Sequence, residues 1–381
     1  MAGTPRMDRQ DQTTSGLEAE FQTLHEFVKA ARMRLNPMIW DYLVGATETE
    51  TTMRRNRLAL DTIALRPRVL RDVSEIDATW QALGKRLRLP LLLCPVGSLE
   101  SMEAGGGLTV AEAAGRFGVM TMQSSVSPLS IEQARAAAHG PFTYQLYVRG
   151  DAAFVDDQLA RAEAAGCDAF CLTVDTAHYS RRERDIAKRF AKPWRANVDE
   201  AARRYQMALA WPDVARIKAR FRIPLVLKGI ATAEDARLAV EHGVDVVYVS
   251  NHGGRQLDHG RGALDILPEV VDAVGGKAKV WVDGGITRGT DMVKAMALGA
   301  DLVGIGRLYC YALAAAGSAG IVRMLEILED EVHSALGLIG ATSFAALDRT
   351  YLHTGAPAVF APHVHSAFPL LNLDDEGYGG R

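Results

Sequence analysis

From Leu89 onward the sequence repeats one pattern: a short apolar run, a turn containing Gly or Ser, and an Ala-rich amphipathic segment. We interpret eight apolar runs as strands, at residues 90–95, 119–123, 142–146, 169–174, 224–228, 246–250, 280–282 and 302–304. Helical segments between them include residues 106–117, 130–138, 154–165, 233–242, 266–273 and 289–298. Continuous apolar runs are typical of parallel strands buried on both faces. Eight of them over roughly 260 residues predict an α/β fold, a (β/α)8 TIM barrel rather than an open doubly wound sheet.

The barrel pattern predicts a single domain at residues 21–350. It begins with an N-terminal helical segment at residues 24–43, followed by a charged helix around residues 48–59. Residues 1–20 are polar, and we predict that they are disordered. The strongly charged residues 178–211 follow the fourth strand and predict a lid loop. Residues 351–381, rich in Gly, Pro and His, form a predicted C-terminal extension that could reach another subunit.

The composition narrows the range of partners. A formal net charge of -3 argues against nucleic acid or an anionic membrane, since both require a concentrated basic surface. Residues 1–22 lack the apolar core of a signal peptide, and the apolar stretch 296–320 is interrupted by Asp301 and Arg307, so we expect no membrane span. The four cysteines match no metal-ligand spacing. We therefore expect no metal and reduced thiols in a cytoplasmic protein.

Polar residues follow the predicted strands, at the end of a barrel where chemistry takes place. In strand order they are Gly97, Ser124, Ser125, Gln145, Tyr147, Thr173, Asp175, Lys228, Ser250, His252, Arg255, Asp283, Gly306 and Arg307. Any one of them could simply end a strand, but burying so many charges together is costly unless they have a task. At the last two ends, glycines precede predicted helices and predict a phosphate site. Tight turns that need only glycine are the alternative reading.

Residues 250–258, SNHGGRQLD, resemble the signature of the FMN-dependent 2-hydroxy-acid dehydrogenase and oxidase family, which includes glycolate oxidase, lactate oxidase and mandelate dehydrogenase. The resemblance runs from about residue 24 to residue 350 and includes RPRVL at 66–70, YQLY at 144–147, LTVD at 172–175, VLKG at 226–229 and DGG at 283–285. It implies an FMN-binding barrel that oxidises an (S)-2-hydroxy acid and passes electrons to oxygen or another acceptor. It also implies a homo-oligomer, by family tendency a tetramer.

The family pattern also implies residue roles. His252 would be the catalytic base, with Asp175 on its other ring nitrogen. Arg255 and Arg182 would hold the substrate carboxylate, and Tyr147 would bind the substrate near its reacting carbon. Lys228 would stabilise the reduced flavin. The implied FMN contacts are Val96, Gly97, Ser124, Gln145, Thr173 and Ser250 around the ring, Asp283 at the ribityl chain, and Gly285, Gly306 and Arg307 at the phosphate.

The sequence departs from the family pattern at three positions. Trp40 stands where glycolate and lactate enzymes carry a carboxylate-binding Tyr, which predicts a pocket reshaped for an aromatic or bulky acid unless Trp40 only packs in the core. Gly97 stands where many oxidases have Ala, which weakens the expectation of a strict oxidase. Thr287 replaces a phosphate-binding Arg, for which Arg288 could substitute.

The segment after the fourth strand also differs from some relatives. Membrane-bound mandelate dehydrogenases carry a hydrophobic insertion there, whereas residues 188–195, KRFAKPWR, are short and basic. We therefore favour a protein that is not bound to a membrane, with weak peripheral contact as the alternative.

Two other functions stay open. A non-redox FMN barrel similar to type 2 isopentenyl diphosphate isomerase has no use for a carboxylate clamp at Arg255. A non-catalytic flavin-binding protein has no need of His252, Asp175 and Lys228 together. The sequence therefore favours the oxidoreductase.

Overall fold

A computed structural model of the chain describes residues 14–190, 200–355 and 367. The helices are α1 (Thr14–Glu20), α2 (Leu24–Arg34), α3 (Pro37–Val44), α4 (Thr51–Thr62), α5 (Gly107–Phe117), α6 (Ile131–Ala137), α7 (Ala152–Ala164), α8 (Glu183–Ala187), α9 (Glu200–Ala208), α10 (Trp211–Arg220), α11 (Ala233–Glu241), α12 (Ala263–Val274), α13 (Gly289–Ala297) and α14 (Arg307–Leu338). The strands are β1 (Ile63–Leu65), β2 (Trp80–Ala82), β3 (Lys85–Leu87), β4 (Leu91–Leu93), β5 (Met120–Ser124), β6 (Phe142–Leu146), β7 (Ala169–Thr173), β8 (Leu225–Ile230), β9 (Val246–Val249), β10 (Lys279–Asp283), β11 (Leu302–Ile305) and β12 (Leu352–Thr354).

Strands β4 to β11 close into a barrel in which every neighbouring pair is parallel. They are the eight strands predicted from the apolar runs, so the (β/α)8 prediction is confirmed. Every residue of β5, β6 and β7 is buried, as a strand covered on one face by helices and on the other by the barrel interior requires. The parallel arrangement brings all eight carboxyl-terminal strand ends to one end of the barrel.

The opposite end of the barrel is closed by a hairpin that the sequence did not predict. Strands β2 and β3 pair antiparallel immediately before the chain enters β4. Ala82 and Leu87 of the hairpin belong to the same buried cluster as Leu92, Met120 and Trp281 of the barrel interior. This packing fills the amino-terminal end and leaves the carboxyl-terminal end for a site.

The longest helix, α14, lies in the core against α2 and α5. Its backbone leaves helical geometry at Ala316 and Gly317, where Gly317 has φ 60°. Within the part of the chain that the structure describes, α14 is the one helix long and apolar enough to cross a membrane. However, 67% of its most apolar window is buried, as expected for the core helix of a folded protein.

The amino-terminal end of the domain differs from its prediction. Residues 1–13 lie outside the described residues, but Thr14–Glu20 form α1, so the disorder predicted for residues 1–20 is wrong for 14–20. The helix forms because Leu17 buries its side chain, leaving 2% exposed, where α1 packs against α14.

The lid and the C-terminal extension are described in part. The predicted lid, residues 178–211, contains α8 and α9, and its residues 191–199 lie outside the described residues. At the start of the predicted extension, β12 pairs antiparallel with β1 and therefore belongs to the domain. Of the residues beyond 355, the structure describes only residue 367.

Candidate active site

The carboxyl-terminal strand ends surround one cavity, with a space of about 1470 Å³ counted out to its solvent opening. The predicted site residues that line it are Val96, Gly97, Tyr147, Arg182, Lys228, His252, Arg255, Asp283, Gly285, Gly306 and Arg307. Four further predicted residues, Ser124, Gln145, Thr173 and Ser250, are buried at the ends of β5, β6, β7 and β9. Trp40 is the predicted site residue that the structure does not bring to this region.

His252 is held between a carboxylate and a phenol. Its Nδ1 lies 3.0 and 3.1 Å from the two carboxylate oxygens of Asp175, and its Nε2 lies 2.6 Å from the hydroxyl of Tyr147. Because a carboxylate can only accept, Nδ1–H donates to Asp175, and Nε2 is left to accept the hydrogen bond of Tyr147. In this tautomer Nε2 is the basic atom that faces the cavity.

The pKa shifts of these three groups support the same assignment. Burial lowers the pKa of His252 below its ordinary value of 6.5, although Asp175 opposes the shift, so the ring is neutral at neutral pH. Burial alone would raise the pKa of Asp175, but its contact with His252, which donates a hydrogen bond to it, and the charge of Lys228 together lower it. Burial raises the pKa of Tyr147, whose hydroxyl therefore stays protonated.

The backbone at His252 adopts a conformation that fixes the direction of the ring. His252 has φ 59°, in the left-handed region, and Gly253 and Gly254 follow with φ 64° and 79°. A Cβ on Gly254 would lie 2.5 Å from the backbone nitrogen of Met53, so only glycine fits there. The Ser250 hydroxyl accepts the His252 N–H at 3.1 Å. The strained turn is thus supported from both sides.

A second buried group joins Lys228, Ser250 and Asp283. Lys228 Nζ donates to Ser250 Oγ at 2.7 Å, Ser250 Oγ donates to Asp283 Oδ1 at 2.6 Å, and Lys228 lies 3.4 Å from Asp283 Oδ2. Burial alone would lower the pKa of Lys228, but Asp283 and Asp175 raise it. Lys228 therefore carries a fixed positive charge at the cavity wall.

The groups around the cavity fit FMN. Gln145 donates to Thr173 at 2.6 Å, but its buried Oε1 accepts no hydrogen bond from the described residues. A buried acceptor without a donor is costly, and a flavin ring carries an N–H that can satisfy it. On the other side, a Cβ on Gly306 would meet nothing within 4 Å, so the backbone there is open to a phosphate. The acceptor, the Lys228 charge and this glycine thus provide for both ends of the cofactor.

Two of the predicted anion-binding arginines are bound to the carboxyl-terminal end of α3. Arg255 Nη1 donates to Tyr42 O at 2.8 Å and Gly45 O at 2.7 Å. Arg307 donates to Leu43 O at 3.1 Å and to Gly45 O at 2.8 Å. Its Nη1 donates to Gly253 O at 3.0 Å. The structure therefore brings both side chains to the cavity, where main-chain carbonyls orient them.

Arg182 completes this positively charged wall. Its Nε donates to Arg255 O at 3.4 Å, and its two Nη atoms donate to no residue in the part of the chain that the structure describes. Burial, with the neighbouring charge of Arg255, lowers the pKa of Arg182 to about 10. Clustered guanidinium groups of this kind form a site for an anion.

The prediction that Trp40 binds substrate is wrong. Its ring lies 5.8 Å from that of Tyr311 and under the guanidinium of Arg32, outside the cavity wall. Positions two apart on a helix point about 200° apart, so it is Tyr42 that faces the cavity, with its hydroxyl donating to Gly97 O at 3.2 Å. Trp40 packs behind Tyr311, which lines the cavity.

The other two departures have a structural basis. A Cβ on Gly97 would lie 2.8 Å from Val126 Cγ1, so this chain has no room for Ala there. Thr287 is buried, and its N–H donates to Asp291 at 3.0 Å. Arg288 does not substitute for the missing Arg, because it pairs with Glu331 and does not line the cavity.

The structure adds residues that the sequence did not single out. Tyr42, Arg149 and Tyr311 also line the cavity. Tyr311 lies four residues after Arg307 on α14, so helical spacing from a predicted site residue could have identified it. Arg149 lies two residues after Tyr147 and three beyond the end of β6, so its position at a strand end did not mark it.

Comparison with known proteins agrees with this geometry. A family model described as FMN-dependent dehydrogenase matches residues 31–354. Glycolate oxidase 3 of Arabidopsis thaliana is 37% identical over 355 residues, which cover 88% of this chain and 96% of the relative. L-lactate oxidase of Nostoc sp. is 38% identical over 356 residues, covering 87% and 97%. A crystal structure of mandelate oxidase with (S)-2-phenylpropionate has a TM-score of 0.82 at 39% identity, covering 88% of this chain and 99% of that one.

The family model spans the barrel and the helices α3 and α4 that cover its carboxyl-terminal end. It therefore includes every residue of the cavity described above. The chain belongs to the FMN-dependent dehydrogenase family, and FMN is its cofactor.

Proposed function

We propose that this protein oxidises an (S)-2-hydroxy acid to the 2-oxo acid. The observation that carries the proposal is the position of His252, with Asp175 on one ring nitrogen and Tyr147 on the other, beside the Arg182 and Arg255 cluster. A base next to an anion site suits a substrate that carries a hydroxyl and a carboxylate on one carbon. The names of the relatives, glycolate, lactate and mandelate oxidases, agree with this class.

In the proposed reaction the substrate loses two electrons and two protons. One hydrogen leaves from its hydroxyl and the other from its α-carbon. His252 Nε2 takes up a proton, and Asp175 stabilises the positive charge that forms on the ring. Tyr147, protonated in the cavity, donates a hydrogen bond to the substrate oxygen when substrate displaces its contact with His252. FMN, when bound, would supply the acceptor for the two electrons and for the second proton.

Arg182 and Arg255 bind the carboxylate in this proposal. Arg182 has two Nη atoms with no hydrogen-bond acceptor among the described residues, which suits a bidentate contact. Arg255 is fixed by the carbonyls of Tyr42 and Gly45, so little side-chain entropy is lost on binding.

Lys228 has a different task. Its charge is buried and paired with Asp283, and with FMN bound it would favour negative charge on the ring. Electrons then pass to oxygen or another acceptor. The oxidase names of the relatives favour oxygen. The homotetramer and the cytoplasmic location stay predictions from the sequence.

The proposal is tested by mixing the FMN-loaded protein with 2-hydroxy acids in the absence of oxygen. We expect at least one of glycolate, lactate, malate, mandelate and a long-chain 2-hydroxy acid to bleach the visible absorbance of the flavin, with an equal amount of 2-oxo acid formed. The matched control is the amide of the same acid, which lacks the carboxylate. A protein that holds FMN and is bleached by none of the acids overturns the proposal and favours a non-redox role.

A further inference from the structure

The cavity wall carries more positive charge than the proposed reaction uses. Within the described residues, its charged side chains apart from His252 are Arg149, Arg182, Lys228, Arg255 and Arg307, against the single carboxylate of Asp283. Lys228 pairs with Asp283, Arg182 and Arg255 serve one substrate carboxylate, and Arg307 lies at the predicted phosphate site. Arg149 has no assigned anion.

Arg149 is fixed in place but not paired. Its Nη2 donates to Ser125 O at 2.8 Å, and the guanidinium makes no ion pair with the described residues. A guanidinium has five N–H donors, so four remain for a ligand. The side chain is half-buried in the cavity wall, where a charge is less hydrated than on an open surface.

The same serine connects Arg149 to the reacting centre. Tyr147 N donates to Ser125 Oγ at 2.9 Å, and the hydroxyl of Tyr147 lies 2.6 Å from His252. Tyr147 and Arg149 both follow β6, and Val148 between them is buried on the other side. Arg182 and Arg255 instead follow β7 and β9. In the barrel β6 is the neighbour of β7, so Arg149 extends the positive charge of Arg182 and Arg255 around the cavity wall to the strand end that also carries Tyr147.

We propose that Arg149 forms a second anion subsite and that the preferred substrate is a 2-hydroxy acid with a second carboxylate. The inference rests on the proposed function. Arg182 and Arg255 bind the carboxylate next to the hydroxyl, and Arg149 binds the carboxylate at the far end of the carbon chain. Arg149 thus determines specificity and takes no part in the proton transfer.

The test compares acids of equal chain length with and without the second carboxylate, namely malate with 2-hydroxybutyrate and 2-hydroxyglutarate with 2-hydroxyvalerate. In the wild-type enzyme we expect kcat/KM to be higher for the dicarboxylate of at least one pair. Arg149→Met should lower that dicarboxylate-to-monocarboxylate ratio by about tenfold to hundredfold, mainly through KM, because a charged hydrogen bond is lost. Arg149→Lys should restore part of it. The control Arg116→Met, at an exposed arginine of α5, should leave the ratio unchanged.

A wild-type ratio below one for both pairs overturns the inference, as does an Arg149→Met ratio equal to that of the wild type. If monocarboxylates reduce the flavin and dicarboxylates do not, only the subsite is wrong. If no acid of either kind reduces it, the proposed function fails as well. Dissociation constants of glutarate and valerate, from flavin absorbance changes in the wild-type enzyme, need no variant. Tighter binding of valerate contradicts the subsite.

Discussion

Replacing Asp175 by Asn removes the negative charge that faces His252 and keeps the size of the side chain. Both carboxylate oxygens lie within 3.1 Å of His252 Nδ1. When His252 takes a proton, its positive charge and the carboxylate are about 4 Å apart between charge centres. At an effective dielectric constant of about 20, their attraction is about 4 kcal/mol. Since about 1.4 kcal/mol changes a rate tenfold, we expect flavin reduction to slow by roughly 10³-fold.

The assay is anaerobic rapid mixing at saturating substrate, with the rate constant read from flavin bleaching. FMN content should stay near wild type, because Lys228, Ser250 and Asp283 retain their mutual contacts. Asp157→Asn, at an exposed carboxylate on α7, is the matched control. A rate for Asp175→Asn within about tenfold of wild type, with FMN bound, would refute the idea that this carboxylate stabilises the protonated ring.

Three further predictions concern pH and stability. Burial lowers the pKa of His252 below 6.5, so the base is neutral above that pH. In a pH profile kcat/KM should therefore fall only as the pH drops below 6.5, and a fall that begins above pH 6.5 would contradict this. Arg57 binds both carboxylate oxygens of Asp291 at 2.9 Å, so Arg57→Met leaves Asp291 as a buried unpaired charge. The free energy of unfolding in urea should fall by about 3 to 5 kcal/mol, and a fall of less than about 1 kcal/mol would contradict this. Gly97→Ala should lower the free energy of unfolding by about 1 to 3 kcal/mol, because the new Cβ would lie 2.8 Å from Val126 Cγ1. Adding Val126→Ala removes that atom and should recover part of the loss in thermal melts, since Val126 Cβ stays at 2.9 Å; no recovery would show that Cγ1 is not the cause.

The barrel could be predicted because its strands are buried on both faces and therefore appear as apolar runs. β6 coincides with the predicted residues 142–146, and the other barrel strands begin and end within two residues of their predictions. The hairpin of β2 and β3 could not be found in this way. Each of its strands has only three residues. In β3, Lys85 and Arg86 are exposed and only Leu87 is buried, so the strand does not appear as an apolar run.

The site was predicted as far as strand ends determine it. His252 and Asp175 follow β9 and β7, Lys228 lies near the end of β8, and the three still meet because a parallel barrel gathers its strand ends. Contacts between distant segments were not visible. Arg288 is drawn away from the cavity by Glu331 on α14, a partner that only the fold brings near. On α3 the sequence pointed to Trp40, whereas Tyr42 faces the cavity. Two positions along a helix correspond to nearly opposite faces.

The central claim is that His252 removes a proton from a bound 2-hydroxy acid while the flavin is reduced. The most direct measurement compares wild type with His252→Asn, both loaded with FMN, mixed without oxygen with the acid that bleaches the wild type fastest. We expect His252→Asn to fold, to bind FMN and to reduce it at least about 10²-fold more slowly, since one general base contributes that much or more. Bleaching of His252→Asn at the wild-type rate, with 2-oxo acid formed, would contradict the account.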